Sequence, residues 1–86
     1  MKFFYVYVLK SKFKDYFYVG FSEDLRRRIK EHNNGESQST KWYRPLDLIH
    51  YEAYRNKKDA LRREKYLKTN QGKTTLKTML REYFDI

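Results

Sequence analysis

Arg28 and His32 stand four residues apart in the stretch Asp24-Leu25-Arg26-Arg27-Arg28-Ile29-Lys30-Glu31-His32, so on a helix both side chains project from one face and converge on one ligand. Arginine offers a planar fork of donors matched to phosphate oxygens and stays charged, which suits it to stabilising a phosphorane-like transition state. A second group is Glu64, three residues from Leu61 and Leu67 and four from Ala60, a spacing that sets its carboxylate on the inward stripe of another helix. An unpaired buried acid is expensive. Glu64 therefore either pairs with a neighbouring Lys or Arg, or holds a hard divalent cation such as Mg2+, which accepts one or two carboxylates plus waters and phosphate oxygens. Tyrosines complete the set, in Tyr5-Val6-Tyr7 and Tyr18-Val19-Gly20 near the start of the chain. Phenol, guanidinium, imidazole and carboxylate in this order point to phosphodiester chemistry.

The elements that must position these groups follow from the residue pattern. Side chains alternate on a strand, so in a first strand over Lys2–Lys10 the residues Phe4, Val6 and Val8 share one face and Phe3, Tyr5, Tyr7 and Leu9 the other. Ser11–Lys14 turn the chain into a second strand over Asp15–Phe21, with Tyr16, Tyr18 and Gly20 on one face and Phe17, Val19 and Phe21 on the other. A loop of that length sets Tyr7 opposite Tyr18 and lines one side of the hairpin with tyrosines. Strand tyrosines also serve packing alone, burying a ring while the hydroxyl stays wet.

Ser22 is the expected N-cap of a first helix, with Glu23 and Asp24 in its first turn, Leu25 and Ile29 as anchors and Asn33-Asn34-Gly35 as its stop. Glu36–Pro45 reads as a polar surface loop carrying Trp42 and Tyr43. Leu46–Tyr54 reads as a third strand, and Asn56 caps a second helix running to Lys68. Thr69-Asn70-Gln71-Gly72 breaks that helix, and a third over Lys73–Tyr83 is expected to bury Leu76, Met79, Leu80 and Tyr83. The expectation is one α+β domain over residues 1–86, in the order ββαβαα, with an antiparallel sheet flanked by helices. A chain of this length leaves no room for a second module, so specificity is expected from this domain or from a protein partner.

Twenty Lys and Arg against eleven Asp and Glu give a net charge of +9 and a pI near 9.8, the electrostatic footprint of a nucleic-acid binder. The expected phosphate contacts are Arg26, Arg27 and Lys30 on the first helix, Lys41 and Arg44 in the loop, and Lys57, Lys58, Arg62 and Arg63 on the second helix, with Trp42 or Tyr43 to stack on bases. A membrane surface fits poorly, because Ala60, Leu61 and Leu67 are too few to insert, and no run approaches the roughly 18 apolar residues of a spanning helix. The apolar stretch Phe3–Leu9 stops at Lys10 with no small-residue cleavage signal beyond it, so a cytoplasmic setting is expected. The absence of cysteine excludes disulfide scaffolds, thiolate zinc sites and cysteine nucleophiles, and His32 and His50 alone do not make a histidine-rich metal site.

Tyr7, Tyr18, Gly20, Arg28, His32 and Glu64, in that order on a strand, strand, helix, helix layout, resemble the GIY-YIG nuclease family over nearly the whole chain, from Tyr5 to about Leu80. The chain is most similar to the small stand-alone bacterial members related to the excision-repair nuclease subunit. The resemblance implies a three-stranded antiparallel sheet flanked by helices, with the motif side chains gathered on one exposed sheet surface. It implies a DNA endonuclease of structure-directed or repair-related kind, with one Mg2+ or Mn2+ held by Glu64, Arg28 bracing the phosphate and a tyrosine activating water. Tyr7 is the better base candidate, with Tyr18 and His32 orienting water or sharing the task. A phenol pKa of about 10 is too high for base work near neutrality, so neighbouring cations must lower it or another group must relay the proton.

The chain departs from the family pattern in three places. Tyr5 replaces the first motif's glycine, Phe21 follows the second motif where a polar or basic residue is common, and Leu76–Tyr83 lacks the asparagine that larger members carry. Two alternatives stay open at this level: a basic nucleic-acid-binding module without turnover, and an RNA-directed nuclease, since nothing in the sequence reads a 2′-hydroxyl recognisably.

Overall fold

Alternation along the first strand sorts the core into two layers. In the computed structural model, which describes residues 1–85, strand β1 (Phe4–Ser11) lies between β2 (Phe17–Ser22) and β3 (Leu46–Tyr54), antiparallel to both. Being central, β1 is covered on both faces, and Val6, Tyr7, Val8 and Leu9 are all buried. Val6 and Val8 point with Val19 toward helices α2 (Lys57–Leu67) and α3 (Asn70–Met79), where Ala60, Leu67 and Leu76 close the larger core. Tyr7 and Leu9 point the other way, toward α1 (Leu25–Asn33) and a single 3-10 turn (Lys41–Tyr43), and pack with Leu46, Tyr18, Leu25, Ile29 and Tyr43. A last short helix, α4, spans Arg81–Phe84. The order ββαβαα and the antiparallel sheet are as the sequence predicts.

Several local expectations are corrected. β1 runs on to Ser11 and β2 begins only at Phe17, so the hairpin loop is longer and the register shifts: Tyr7 pairs with Gly20, and Tyr18 with Leu9. Ser22 remains in β2, its hydroxyl bonding the Asp24 amide at 3.0 Å, and Asp24 is the N-cap of α1, accepting from the Arg27 amide at 3.2 Å. α1 ends at Asn33 with Asn34 as its C-cap, and Gly35 just beyond adopts the left-handed conformation at φ +81°. Asn56 caps α2 as expected, accepting from the Lys58 amide at 2.9 Å. Thr69 caps α3 through the Gly72 amide at 3.0 Å, so the third helix starts at Asn70 rather than Lys73. It ends at Met79, and Met79 and Tyr83 lie exposed rather than in the core. Among the described residues, no helix is long and apolar enough to cross a membrane.

Candidate active site

Tyr7 is the centre of the candidate site. Its position on the middle strand, on the face turned to α1, buries its ring completely. The ring packs against Tyr18, with centroids 6.3 Å apart, and edge-on to His32 at 5.7 Å, while Tyr18 and His32 lie 5.2 Å from each other. Tyr18 is thus a diagonal neighbour across the ladder, two residues from the position directly opposite Tyr7 and on the same face. The Tyr7 hydroxyl is 2.8 Å from His32 Nε2. Arg28, one helical turn before His32, faces the same hydroxyl and also bonds Glu31, Nη1 to Oε1 at 2.9 Å. The helical spacing therefore delivers guanidinium and imidazole to one phenol.

Burial, rather than the cations, dominates the titration of this cluster. Removal from water pushes the Tyr7 hydroxyl up to about 12, although the Arg28 guanidinium opposes the rise. Of the two routes open to base work, lowering by cations and relay through another group, burial outweighs the first. Tyr7 also lies beneath the protein surface rather than on an exposed sheet face. His32, fully buried as well, is held down to about 4 by burial and by the adjacent Arg28 charge, so its imidazole is neutral near pH 7. Arg28 is raised above its ordinary value, chiefly by Glu31.

Glu64 lies on α2, which packs on the other face of the sheet from the one that Tyr7 turns to α1. Ala60 and Leu67 are fully buried and Glu64 lies between them on α2 with its side chain 19% exposed, whereas Leu61 points outward at 40% exposure. Its Oε2 is 3.1 Å from Lys68 Nζ, and its charge acts on Tyr7 electrostatically, without a hydrogen bond to Tyr7, Arg28 or His32 among the described residues. A lone half-buried carboxylate is a donor of the kind a hard divalent cation uses when it keeps most of its waters, and among the described residues no group of three metal-ligating side chains surrounds it.

The basic residues divide into two groups. Arg63 is a structural clamp: its guanidinium grips the Glu52 carboxylate at 2.9 and 3.2 Å, and Tyr54 and His50 bond the same carboxylate at 2.7 and 3.0 Å, tying α2 to β3. Arg62 pairs with Asp59 at 2.8 Å, Lys57 with Glu23 at 3.7 Å and Arg27 with Glu31 at 3.6 Å, while Arg44 Nε bonds the Lys41 carbonyl at 2.8 Å. Arg26, Lys30, Lys41 and Lys58 have no acidic partner among the described residues. Trp42 is 72% exposed with Lys41 Nζ 4.9 Å from its ring, whereas Tyr43 is stacked on Tyr16 at 3.7 Å and has one face already covered. A shallow concavity beside the site is lined by Tyr16, Tyr18, Lys68 and Lys73. Sequence reasoning missed Glu31 and Thr40. Glu31 carried an i,i+3 signal toward Arg28, but Thr40 sits in an apparently featureless polar loop.

Fold and site together define a small α+β domain in which a buried tyrosine and histidine meet a partly exposed arginine beside the central strand. The family model of the GIY-YIG catalytic domain matches residues 3–77. A UPF0213 protein of Staphylococcus saprophyticus is 38% identical over 74 residues, covering 85% of this chain and 89% of its own. A UPF0213 protein of Clostridium perfringens is 42% identical over 65 residues, covering 74% of this chain and 69% of its own. The solution NMR structure of a UPF0213 protein from Bacillus halodurans superposes with a TM-score of 0.56 at 32% identity, covering 92% of this chain and 85% of that one. The chain belongs to the GIY-YIG family, a family of nuclease domains.

Proposed function

We propose that this protein is a divalent-metal-dependent endonuclease that hydrolyses phosphodiester bonds in DNA. The observation that carries the reading is the convergence of Arg28 and His32 on the Tyr7 hydroxyl. The Arg28 side chain is one-third exposed, which leaves its guanidinium free to turn toward a bound phosphate, brace its oxygens and open access to the phenol beneath. Tyr7 Oη then takes a proton from the attacking water while its own hydrogen passes to His32 Nε2. The water oxygen bonds phosphorus, the bond to the leaving sugar oxygen breaks, and that oxygen takes a proton from solvent. A relay of this kind avoids a free buried tyrosinate, whose formation the raised Tyr7 pKa opposes; its own cost is a transient imidazolium at His32, which burial and the adjacent Arg28 charge disfavour. Glu64 would hold one Mg2+ or Mn2+, which when bound supplies positive charge at the phosphate.

The net charge of +9 supports a polyanionic substrate met through Arg26, Lys30, Lys41 and Lys58, with exposed Trp42 as a stacking surface. A cytoplasmic setting and a repair-related role accompany this reading. The Glu64–Lys68 ion pair favours the alternative, a binding module of the same fold without turnover. The test is to incubate purified protein with duplex, nicked, flapped and branched DNA and with RNA, in Mg2+ or Mn2+. Metal-stimulated cleavage of DNA is expected. Binding with no cleavage of any substrate selects the binding module, and cleavage confined to RNA selects an RNA nuclease.

A further inference from the structure

We infer that Thr40 is a positioning residue for phosphodiester hydrolysis: its hydroxyl accepts from His32 Nδ1–H and so holds the tautomer in which Nε2 is free to receive the Tyr7 proton. The inference rests on the nuclease reading above.

Thr40 is fully buried although the segment around it is polar and lies at the surface. It precedes the 3-10 turn, yet its side chain makes no capping hydrogen bond there. Its Oγ1 lies instead 2.7 Å from His32 Nδ1, its one side-chain partner among the described residues. The backbone holds it in place. The Thr40 amide donates to the Ser37 carbonyl at 3.3 Å, the Thr40 carbonyl accepts from the Tyr43 amide at 2.9 Å, and the Tyr16 hydroxyl bonds the adjacent Ser39 carbonyl at 3.1 Å. The loop thus carries a hydroxyl to the back of the imidazole, on the opposite side from Tyr7.

A neutral imidazole has one donor and one acceptor nitrogen, and the partner of one fixes the role of the other. Two arrangements are consistent with the heavy atoms. In the first, Nδ1–H donates to Thr40 and Nε2 accepts from Tyr7; in the second, Thr40 donates to Nδ1 and Nε2–H donates to the Tyr7 oxygen. Arg28 decides between them. A guanidinium only donates, so it draws the lone pairs of the Tyr7 oxygen toward itself and turns the hydroxyl hydrogen toward Nε2. The second arrangement would set Nε2–H and the Arg28 charge on the same Tyr7 oxygen and leave the Tyr7 hydrogen without a protein acceptor among the described residues; in the first it is the Thr40 hydrogen that lacks one, so the Arg28 charge beside Tyr7 is what separates the two. With Nε2 accepting, the ring proton belongs to Nδ1 and Thr40 is its acceptor. After Tyr7 passes its hydrogen to Nε2, the imidazolium has both N–H groups bonded, one to Thr40 and one to Tyr7.

The test compares Thr40→Val, which keeps the shape and removes the hydroxyl, with Thr40→Ser, which keeps the hydroxyl. Imidazole 15N shifts of labelled protein report the tautomer, and His50→Gln assigns the His32 signals. Wild type and Thr40→Ser are expected to show the Nδ1–H form, and Thr40→Val to shift toward Nε2–H. In cleavage, kcat of Thr40→Val should fall about 10–10²-fold, as for other partners that orient a catalytic ligand, with KM unchanged and Thr40→Ser near wild type. An Nε2–H tautomer in wild type overturns the assignment even if Thr40→Val fails to fold. So does a folded Thr40→Val with unaltered tautomer and kcat, or a Thr40→Ser as impaired as Thr40→Val. A wild-type protein that cleaves nothing overturns the nuclease reading itself, an outcome distinct from these because the tautomer is measured without substrate.

Discussion

Gly20 stands directly across the β1–β2 ladder from Tyr7, and a Cβ at Gly20 would enter the space of the Tyr7 hydroxyl and crowd the Tyr18 ring at 2.9 Å. The glycine of the second motif is therefore required by the tyrosine of the first, through close approach rather than through an unusual backbone conformation. Gly20→Ala should displace the buried phenol and destabilise the fold by about 1–3 kcal/mol, as overpacking does. A urea midpoint equal to wild type, with cleavage retained, would show that Tyr7 moves aside freely.

Arg28→Lys keeps the charge but loses the planar fork. Cleavage should fall by about 10²–10³-fold, the loss typical of removing one transition-state donor, while DNA affinity stays near normal. Single-turnover rates and a binding isotherm separate the two. Equal rates would remove Arg28 from the transition state and leave it as the partner of Glu31.

Glu64→Gln preserves shape and deletes the negative charge proposed to hold the metal. Metal-stimulated cleavage should disappear, EDTA should reproduce the defect in wild type, and DNA binding should persist or tighten slightly because a carboxylate no longer repels the phosphate. If Glu64→Gln only lowers the melting temperature and cleaves normally once folded, the residue is the ion-pair partner of Lys68 and nothing more.

His32 titrates at about 4 in the fold against 6.5 in an unfolded chain, so the folded protein binds fewer protons between these values. This contribution to stability is complete above pH 6.5 and is lost as the pH falls toward 4, about 3 kcal/mol over the full span. Burial raises the Glu52 pKa, but Arg63, His50 and Tyr54 outweigh it and hold the carboxyl at about 2, so its own loss begins only below about 4.5. Denaturant stability measured between pH 6.5 and 4.5 should therefore fall in wild type and fall less in His32→Gln. Identical slopes would assign the titration elsewhere.

Replacing Arg26, Lys30 and Lys58 with Gln should weaken duplex binding and lower the salt slope by about 0.9 for each phosphate contact removed. Arg63→Gln should leave the slope unchanged and destabilise the fold, since it strips a carboxylate buried between α2 and β3 of its main partner. A slope lowered by Arg63→Gln alone would return that residue to the binding surface.

Periodicity made the two faces of β1 legible, because alternation on a central strand directly separates Val6 and Val8 from Tyr7 and Leu9. The spacing of Arg28 and His32 likewise determined that both would meet one group, since a helix repeats its face every three to four residues. Hairpin register was not legible: it depends on where β1 stops pairing with β2, and that ladder closes at Lys10–Phe17, with the Ser11 amide bonded to the Tyr16 carbonyl across the turn. Charge pattern could not distinguish Arg63 from Lys58 either. Both are basic residues on one helix, and only the approach of β3 brings Glu52 to the first.

By itself the sequence determined the order of elements, the two faces of β1 and the shared face of Arg28 and His32, all of which follow from local backbone geometry. The depth of Tyr7, the upward push on its hydroxyl, the neutrality of His32 and the placing of Thr40 behind the imidazole were decided only by the tertiary structure. Those properties come from water excluded by α1 and the 3-10 turn packing over the sheet, and exclusion of water depends on segments far apart in the chain.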